Sequence, residues 1–288
     1  MSMPLLPITS ASTLRRCKEW CAEETTPLPL CLICSYPKSG TTWMQAIVAH
    51  VLLPQHQLSA HISEYTPFFD ADASWAKFDA GAYTANHAAM GFSAWNSHFL
   101  PGMLSSLAVA RNKIIYVVRP GRDVVTSFFH HLSNQRGAGG DFNKDFATFL
   151  QAWCSGEMPY GYWLDHVLAW LAERDARPDQ VLLIRYTDLK HSLRECIAEV
   201  VAFLGRPISP AVVRALEPAL TFSGMQERCA QYQPQSVDWQ PGFCFIRAGA
   251  EGSEFDPANE AIYQEMLGRR LAMVSPGQVE ALRGLHIL

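Results

Sequence analysis

Several features that would place this chain in a common class of protein are missing from its sequence. No Gly-Lys pair occurs anywhere, so the Walker A order G-x-x-x-x-G-K-[ST] is absent. The formal net charge is −4, which lacks the basic excess of a general nucleic-acid binder. The longest apolar run, residues 46–54, is interrupted by His50 and is too short to span a bilayer. We therefore expect neither nucleic acid nor membrane as a partner.

The N-terminus also lacks a continuous apolar segment, and its first arginine comes only at position 15. This pattern predicts no signal peptide, and the expected location is cytoplasmic. In that compartment the eight cysteines (17, 21, 31, 34, 154, 196, 229 and 244) are expected to be free thiols. Cys31 and Cys34 have zinc-like spacing, but no second Cys/His pair is spaced to complete a site. No metal site is predicted.

The chain is long and apolar enough to bury a sizeable core, with 288 residues of which 49% are hydrophobic. Aliphatic runs predict buried strands at Leu30–Ser35, Lys113–Val118 and Val181–Arg185. Helical periodicity predicts helices at Trp43–Leu53, Asp123–Leu132, Tyr160–Glu173 and Ser192–Leu204. Residues 55–95 and 225–260 are less regular and are predicted to be loops and lids. The expectation is an α/β fold: a single doubly wound domain over residues 1–288, with a central parallel sheet flanked by helices.

One short stretch indicates an anion site. Tyr36 to Trp43 reads Y-P-K-S-G-T-T-W and follows the first predicted strand directly. The backbone N–H groups at the start of a helix attract phosphate or sulfate, and Gly40 lets the chain approach such a group. Lys38 adds a full positive charge. An ordinary capped turn would explain one hydroxyl here, but not the lysine, the glycine and both threonines together.

This stretch resembles the phosphosulfate-binding loop of the cytosolic sulfotransferases, which use 3′-phosphoadenosine 5′-phosphosulfate (PAPS). The segments R-P-G-R-D-V-V-T-S at 119–127, G-E-M-P-Y-G-Y-W-L-D-H-V-L-A-W at 156–170 and R-Y-T-D-L-K at 185–190 also resemble that family. The similarity extends from about residue 28 to about residue 255. It implies a P-loop-like fold with PAPS as co-substrate and no metal.

The resemblance assigns PAPS-binding roles to residues along the whole chain. They are Lys38, Ser39, Gly40, Thr41, Thr42 and Trp43 in the loop, Arg119 and Ser127 at the 3′-phosphate, Tyr186, Thr221 and Phe222 near adenine, and Arg247, Ala248 and Gly249 in a second phosphate segment. Trp43 and Phe222 are expected to sandwich the adenine. The family pattern R-K-G-x-x-G-D-W-K is R-A-G-A-E-G-S-E-F at 247–255, so Ala248 replaces a lysine and Glu254 a tryptophan. Weaker binding of the cofactor phosphate is therefore predicted.

The resemblance also implies the catalytic residues. His98 stands in N-S-H-F-L-P, which is similar to the family's K-T-H-L-P segment, and a neutral imidazole is a suitable general base. Lys38 would neutralise the bridging oxygen of the leaving phosphate. Ser127 would restrain Lys38 until an acceptor arrives. Asn96 replaces the lysine that stands two positions before the histidine in the family.

The acceptor is left open between two classes. Residues 62–95 contain aromatic side chains suited to a flat apolar molecule, namely Tyr65, Phe68, Phe69, Trp75, Phe78, Tyr83, Phe92 and Trp95. The same stretch contains carboxylates suited to a cation, namely Glu64, Asp70, Asp72 and Asp79. A hydroxyl of a phenol, alcohol or steroid-like molecule is favoured, and N-sulfation of an amine or guanidine is the alternative. A P-loop kinase-like phosphotransferase and a non-catalytic nucleotide-binding protein rank lower. The family's usual dimer motif is not recognisable, so the oligomeric state stays open.

Overall fold

The central feature of the fold is a parallel β-sheet whose strand order reverses between two neighbours. A computed structural model describes residues 6–23, 26–104, 109–136, 145–247 and 254–288. Its strands are β1 Leu30–Ser35, β2 Ser93–Ser97, β3 Lys113–Val118 and β4 Val181–Arg185. They lie in the order β2-β1-β3-β4, and all pairs are parallel. The chain therefore leaves β1 toward one edge and later returns to its other side, which creates a topological switch point between β1 and β3.

Helices connect and cover these strands. The helices in the first half of the chain are α1 Ala11–Ala22, α2 Thr41–Leu52, α3 Asp72–Asp79, α4 Thr84–Met90 and α5 Gly121–Ser133. Those that follow are α6 Phe146–Ser155, α7 Trp163–Ala176, α8 Tyr186–His191, α9 Leu193–Phe203, α10 Pro210–Leu220, α11 Phe222–Gln226, α12 Cys229–Tyr232, α13 Pro257–Leu271 and α14 Pro276–Gly284. Short 3₁₀ helices span Ile62–Glu64 and Pro101–Met103.

Both faces of the sheet are buried, as the near-continuous apolar strands require. Along β1, Leu30, Leu32 and Cys34 belong to one core cluster. Cys31 and Ile33 belong to the other, because successive side chains of a strand point to opposite faces. The predicted doubly wound α/β architecture is confirmed. That it forms a single domain stays a prediction.

The three predicted strands have the observed bounds, whereas helix starts are shifted. Helix α2 begins two residues early, after Gly40, and α7 begins three residues late, after Tyr160 and Gly161, which have φ values of 70° and 69°. A left-handed residue cannot continue an α-helix, so the helix starts beyond this pair. The prediction of loops over 55–95 and 225–260 is wrong in part, because α3, α4 and the start of β2 lie in the first range and α12 and the start of α13 lie in the second.

The prediction of eight free thiols is also wrong in part. Cys229 and Cys244 form a disulfide, with their Cα atoms 6.3 Å apart, a separation that disulfides commonly span. The remaining six cysteines are free. Among the helices that the structure describes, none has both the length and the apolar character needed to cross a membrane.

Candidate active site

The candidate site lies where the carboxyl ends of the four strands meet. The residue after each strand is Tyr36, His98, Arg119 or Tyr186, and Lys38 follows two residues beyond Tyr36. Register aligns the ends closely, since Cys34 pairs with Ser97 and Ser35 with Val117. Ligands of open parallel sheets bind outside these ends at the switch point. The topology therefore brings together residues that are more than a hundred positions apart in the sequence.

The loop after β1 presents polar groups that have no protein partner. Gly40 is the N-cap of α2 and no side chain caps the helix, so the first N–H groups of α2 point outward. Ser39 is 1% exposed, and its hydroxyl has no hydrogen-bond partner. By contrast, the Thr41 hydroxyl lies 2.6 Å from Ser35 Oγ. An uncapped helix start beside a buried, unpaired hydroxyl fits an anionic ligand.

Lys38 lies in the left-handed region of backbone space, with φ 69°. Its Nζ lies 3.3 Å from Nδ1 of His131 and 3.9 Å from the centre of the Phe245 ring. Burial, which has the larger effect, and the nearby charge of Arg119 together lower the pKa of Lys38 to about 7. That Ser127 restrains this lysine stays a prediction. In the described part of the chain, His131, which lies one helical turn after Ser127, is the residue within hydrogen-bond distance of the ammonium in this conformation.

Arg119 connects the β1 and β3 loops and leaves part of its guanidinium unpaired. Nη1 donates to the carbonyl of Lys38 at 3.0 Å, and the guanidinium carbon lies 4.2 Å from the centre of the Tyr186 ring. Asp123 is 3.7 Å from Nε, which is buried and makes no hydrogen bond. An arginine with a free buried N–H beside the loop fits a phosphate. Tyr186 packs on Arg119 and on Trp43, which lies 5.8 Å away between ring centres.

The expected adenine sandwich is not open in this conformation. The rings of Trp43 and Phe222 are 6.2 Å apart at 63°, edge to face. A base between two parallel rings needs two layers of about 3.5 Å each, so the Phe222 ring must turn to admit one. Trp43 is anchored by its Nε1, which donates to the carbonyl of Leu220 at 2.7 Å. Thr221 caps α11, its hydroxyl accepting from the N–H of Gly224.

The second phosphate segment is described only at its two ends. Arg247 is exposed, and its charge contributes to lowering the pKa of His130, after the larger effect of burial. Ala248 and Gly249 lie outside the described residues. Glu254, which replaces the family's tryptophan, accepts a hydrogen bond from Nε2 of His130 at 2.5 Å. The added acid is therefore bound to α5.

His98 is held at its backbone and its ring. Its Nδ1 donates to the carbonyl of Ser35 at 2.8 Å, which fixes the ring hydrogen there and leaves the lone pair on Nε2. Its main-chain N–H donates to Asp70 and its carbonyl accepts from His166 Nε2. The pKa of His98 is lowered to about 4, mainly by burial and in part by the charge of Lys38, while the hydrogen bond to the Ser35 carbonyl acts in the opposite direction. The imidazole is neutral at pH 7 and able to accept a proton.

Aromatic rings surround this histidine. Phe68 and Tyr160 each have ring centres 5.5 Å from the His98 ring. Asn96, which replaces the family's lysine, turns away and donates to the carbonyl of Thr66 at 2.7 Å. The site therefore has no second lysine at this position.

Sequence reasoning missed His131 and Phe245 as neighbours of Lys38, and left Asp70 among several acids. His131 is one of two adjacent histidines on α5, and only the helical spacing from Ser127 pointed to it. Phe245 comes from a segment far along the chain. Tertiary contacts, which no local pattern reports, bring both to the loop.

Comparison with known proteins identifies the family. Residues 29–272 match the family model of the sulfotransferase domain. The chain belongs to the sulfotransferase family. The predicted class, a PAPS-dependent sulfotransferase, is confirmed.

Relatives of this sulfotransferase align over most of their length. Sulfotransferase 1C2 of Rattus norvegicus is 30% identical over 259 residues, covering 82% of this chain and 82% of the relative. Sulfotransferase 2A6 of Rattus norvegicus is 28% identical over 255 residues, covering 85% and 86%. Among solved structures, mouse sulfotransferase SULT7A1 complexed with PAP has a TM-score of 0.72 at 21% identity, covering 99% of this chain and 96% of that one. Retinol dehydratase, complexed with androsterone and PAP, has a TM-score of 0.65 at 19% identity, covering 89% and 85%. These structures support the fold.

Proposed function

We propose that this sulfotransferase moves the sulfuryl group of PAPS to the hydroxyl of a small, neutral, flat acceptor, with His98 as the general base. The observation that carries the proposal is the position of His98 at the end of β2, beside the anion loop that follows β1. Its Nδ1 is committed to Ser35, so Nε2 is the basic atom. A nucleotide-binding protein without turnover has no need of a base there.

The residues of the site fit PAPS. The unpaired hydroxyl of Ser39 and the N–H groups at the start of α2 would hold its sulfated end, and the guanidinium of Arg119, whose Nε makes no hydrogen bond, would bind a phosphate. When bound, PAPS supplies an activated sulfuryl group. His98 takes the acceptor's proton on Nε2, and Lys38 places positive charge where the leaving phosphate gains negative charge.

Three of the four carboxylates of residues 62–95 are buried or bound to other residues, which supports the choice of a neutral acceptor. Asp70 is fully buried. Asp72 accepts from the N–H and hydroxyl of Ser10, and Asp79 forms an ion pair with Arg16. Phe68 and Tyr160 are the rings that face His98. A cationic amine is therefore disfavoured. Androsterone, which retinol dehydratase holds, is an apolar molecule of the favoured kind.

A pair of assays tests the donor and the acceptor. The by-product 3′,5′-adenosine bisphosphate (PAP) should raise the melting temperature without Mg²⁺, by an amount equivalent to roughly 2.7 kcal/mol at a hundredfold excess over Kd. Labelled PAPS should then transfer sulfate to a phenol or to benzyl alcohol, but not to benzylamine, which has the shape of benzyl alcohol and is cationic at neutral pH. Stabilisation by ATP with Mg²⁺ and not by PAP would contradict the proposed donor. Preference for benzylamine would contradict the proposed acceptor.

Replacement of the base tests the mechanism. His98→Ala should lower turnover by roughly a hundredfold to ten-thousandfold, the usual contribution of a positioned base. PAP affinity should stay within a few-fold, because that affinity is expected to reside in the two anionic ends of PAP, whereas His98 is expected to face the hydroxyl of the acceptor. An acidic nitrophenol should recover part of the lost rate, since its proton leaves without help. An active His98→Ala variant on an ordinary alcohol would remove His98 from the mechanism.

Cytoplasmic location and the absence of nucleic-acid and membrane partners remain predictions.

A further inference from the structure

A fully buried carboxylate lies directly behind His98. Asp70 belongs to the segment between the 3₁₀ helix at Ile62–Glu64 and α3, and its side chain is 0% exposed. It therefore does not contact an acceptor. The residues before it are tied to β2, because the N–H of Phe69 donates to the carbonyl of Asn96 at 2.8 Å.

Asp70 accepts three hydrogen bonds from groups around the base. Oδ1 accepts from the hydroxyl of Ser97 at 2.6 Å. Oδ2 accepts from the main-chain N–H of His98 and from the hydroxyl of Tyr160, each at 2.9 Å. One carboxylate thus connects the end of β2 to the turn before α7.

Burying a carboxylate is costly unless its oxygens are well bonded. Burial raises the pKa of Asp70 to about 7, and the bonds from Ser97, His98 and Tyr160 oppose this. No Lys or Arg forms an ion pair with Asp70 in the part of the chain that the structure describes. Packing alone does not explain an acid here, because an apolar side chain would fill the space at lower cost.

The bonds of Asp70 act on both supports of His98. They fix the backbone of the histidine from one side, while His166 fixes its carbonyl. They also fix Tyr160, whose ring lies against the imidazole and whose backbone is left-handed, with φ 70°. The direction of Nε2 depends on both contacts.

We propose that Asp70 is the positioning residue for His98, aligning its Nε2 for proton transfer through the His98 backbone and the Tyr160 ring. This inference rests on the proposed role of His98 as the base. Substitution of Asp70 should therefore change turnover and not the affinity for PAP.

Three substitutions separate this role from a merely structural one. Asp70→Ala removes the acceptor and should lower kcat about tenfold to a hundredfold, with the KM for PAPS within twofold. In Asp70→Asn, the amide oxygen can still accept from His98 and Tyr160, and the amide nitrogen faces the hydroxyl of Ser97. The kcat of this variant should therefore stay within a few-fold of the wild-type value. Tyr160→Phe removes one hydroxyl and should lower kcat several-fold. Asp72→Asn, at the first residue of α3, is the matched control and should leave kcat unchanged.

The decisive measurement repeats the Tyr160→Phe and Asp70→Ala changes in the His98→Ala background. A residue that acts through His98 has no further effect once His98 is gone, so turnover should not fall again. An equal fall in both backgrounds would overturn the proposal. If Asp70→Ala does not fold, the Tyr160→Phe comparison alone decides. Loss of transfer in the wild-type enzyme would instead contradict the proposed function, which PAP binding and the acceptor assay test separately.

Discussion

Lys38 must meet two opposing requirements. To stabilise a leaving phosphate it must be charged, yet its surroundings favour the neutral amine. Burial and Arg119 lower its pKa to about 7, while the His131 imidazole and the Phe245 ring provide a hydrogen bond and a cation–π contact to the ammonium. The charge of this residue is therefore sensitive to pH in the physiological range.

PAP affinity should consequently decrease as pH rises above about 7. Below its pKa, Lys38 is an ammonium that attracts the anion, and above it the attraction is lost, by up to tenfold per pH unit. Lys38→Arg stays charged, so its affinity should be flat between about pH 7 and pH 9, where the phosphates of PAP are already ionised. Lys38→Met should be weak and equally flat. Isothermal titration over this range gives the answer, and a wild-type profile identical to that of Lys38→Arg would contradict the prediction.

At the scale of elements, the approach of α8 to the anion loop depends on a missing side chain. Gly40 has φ 109°, and a Cβ added to it would lie 2.8 Å from Cδ2 of Tyr186, the first residue of α8. The loop can therefore pack against the end of β4 only with glycine at this position. The same contact holds the Tyr186 ring beneath Arg119.

Gly40→Ala should lower the free energy of unfolding by more than the roughly 1–2 kcal/mol that left-handed strain alone costs. It should also lower the affinity for PAP at least tenfold. Gly205→Ala is the matched control, because Gly205 also has a positive φ, 63°, but nothing lies within 4 Å of its added Cβ. It should show the strain alone and leave PAP affinity unchanged. Urea unfolding and PAP titration measure the two effects. Equal behaviour of the two variants would show that the Tyr186 contact has no role.

The bounds of some strands could be predicted from the sequence, whereas those of others could not. Strands β1, β3 and β4 are runs of buried aliphatic residues bounded by turns, so their ends were read correctly. Strand β2, S-A-W-N-S, has no β-branched residue and is defined by pairing with β1. The anion loop and His98 were visible in local motifs. The contacts of His131 with Lys38 and of Asp70 with His98 were not, because they join segments separated in sequence by 93 and 28 positions.

For the whole molecule, buried titratable groups set the dependence of stability on pH. Burial lowers the pKa of His87 and His98 to about 4 and of His166 to about 3. Between these values and the usual 6.5 the unfolded chain binds more protons, so these residues make stability rise with pH. Asp70 acts in the opposite direction, since its raised pKa favours the folded state at low pH and loses that effect as pH rises toward 7.

Replacing His87 should make the protein less sensitive to acid. This ring is 2% exposed among Phe78, Tyr83 and Trp95, outside the candidate site. Between pH 6.5 and pH 5 a neutral buried histidine loses about 2 kcal/mol of stability, at about 1.36 kcal/mol per unit. His87→Phe should therefore show a smaller loss from pH 7 to pH 5 by that amount in urea unfolding. His191→Gln, at an exposed position, is the control and should lose as much stability between pH 7 and pH 5 as the wild type does. If the His87 ring were charged in the folded protein, His87→Phe would also show the wild-type loss, and this would contradict the prediction.

The Cys229–Cys244 disulfide constrains the segment beside Lys38 in a way that depends on neither the nucleotide nor the acceptor. Cys229 follows α11 closely, and Cys244 immediately precedes Phe245, the ring against Lys38. The bond limits how far Phe245 can move from the anion loop. Two electrons and two protons supplied by a thiol reductant open it to two cysteines, and the covalent limit disappears. The mobility of the segment beside Lys38 is thereby tied to the thiol–disulfide balance around the protein.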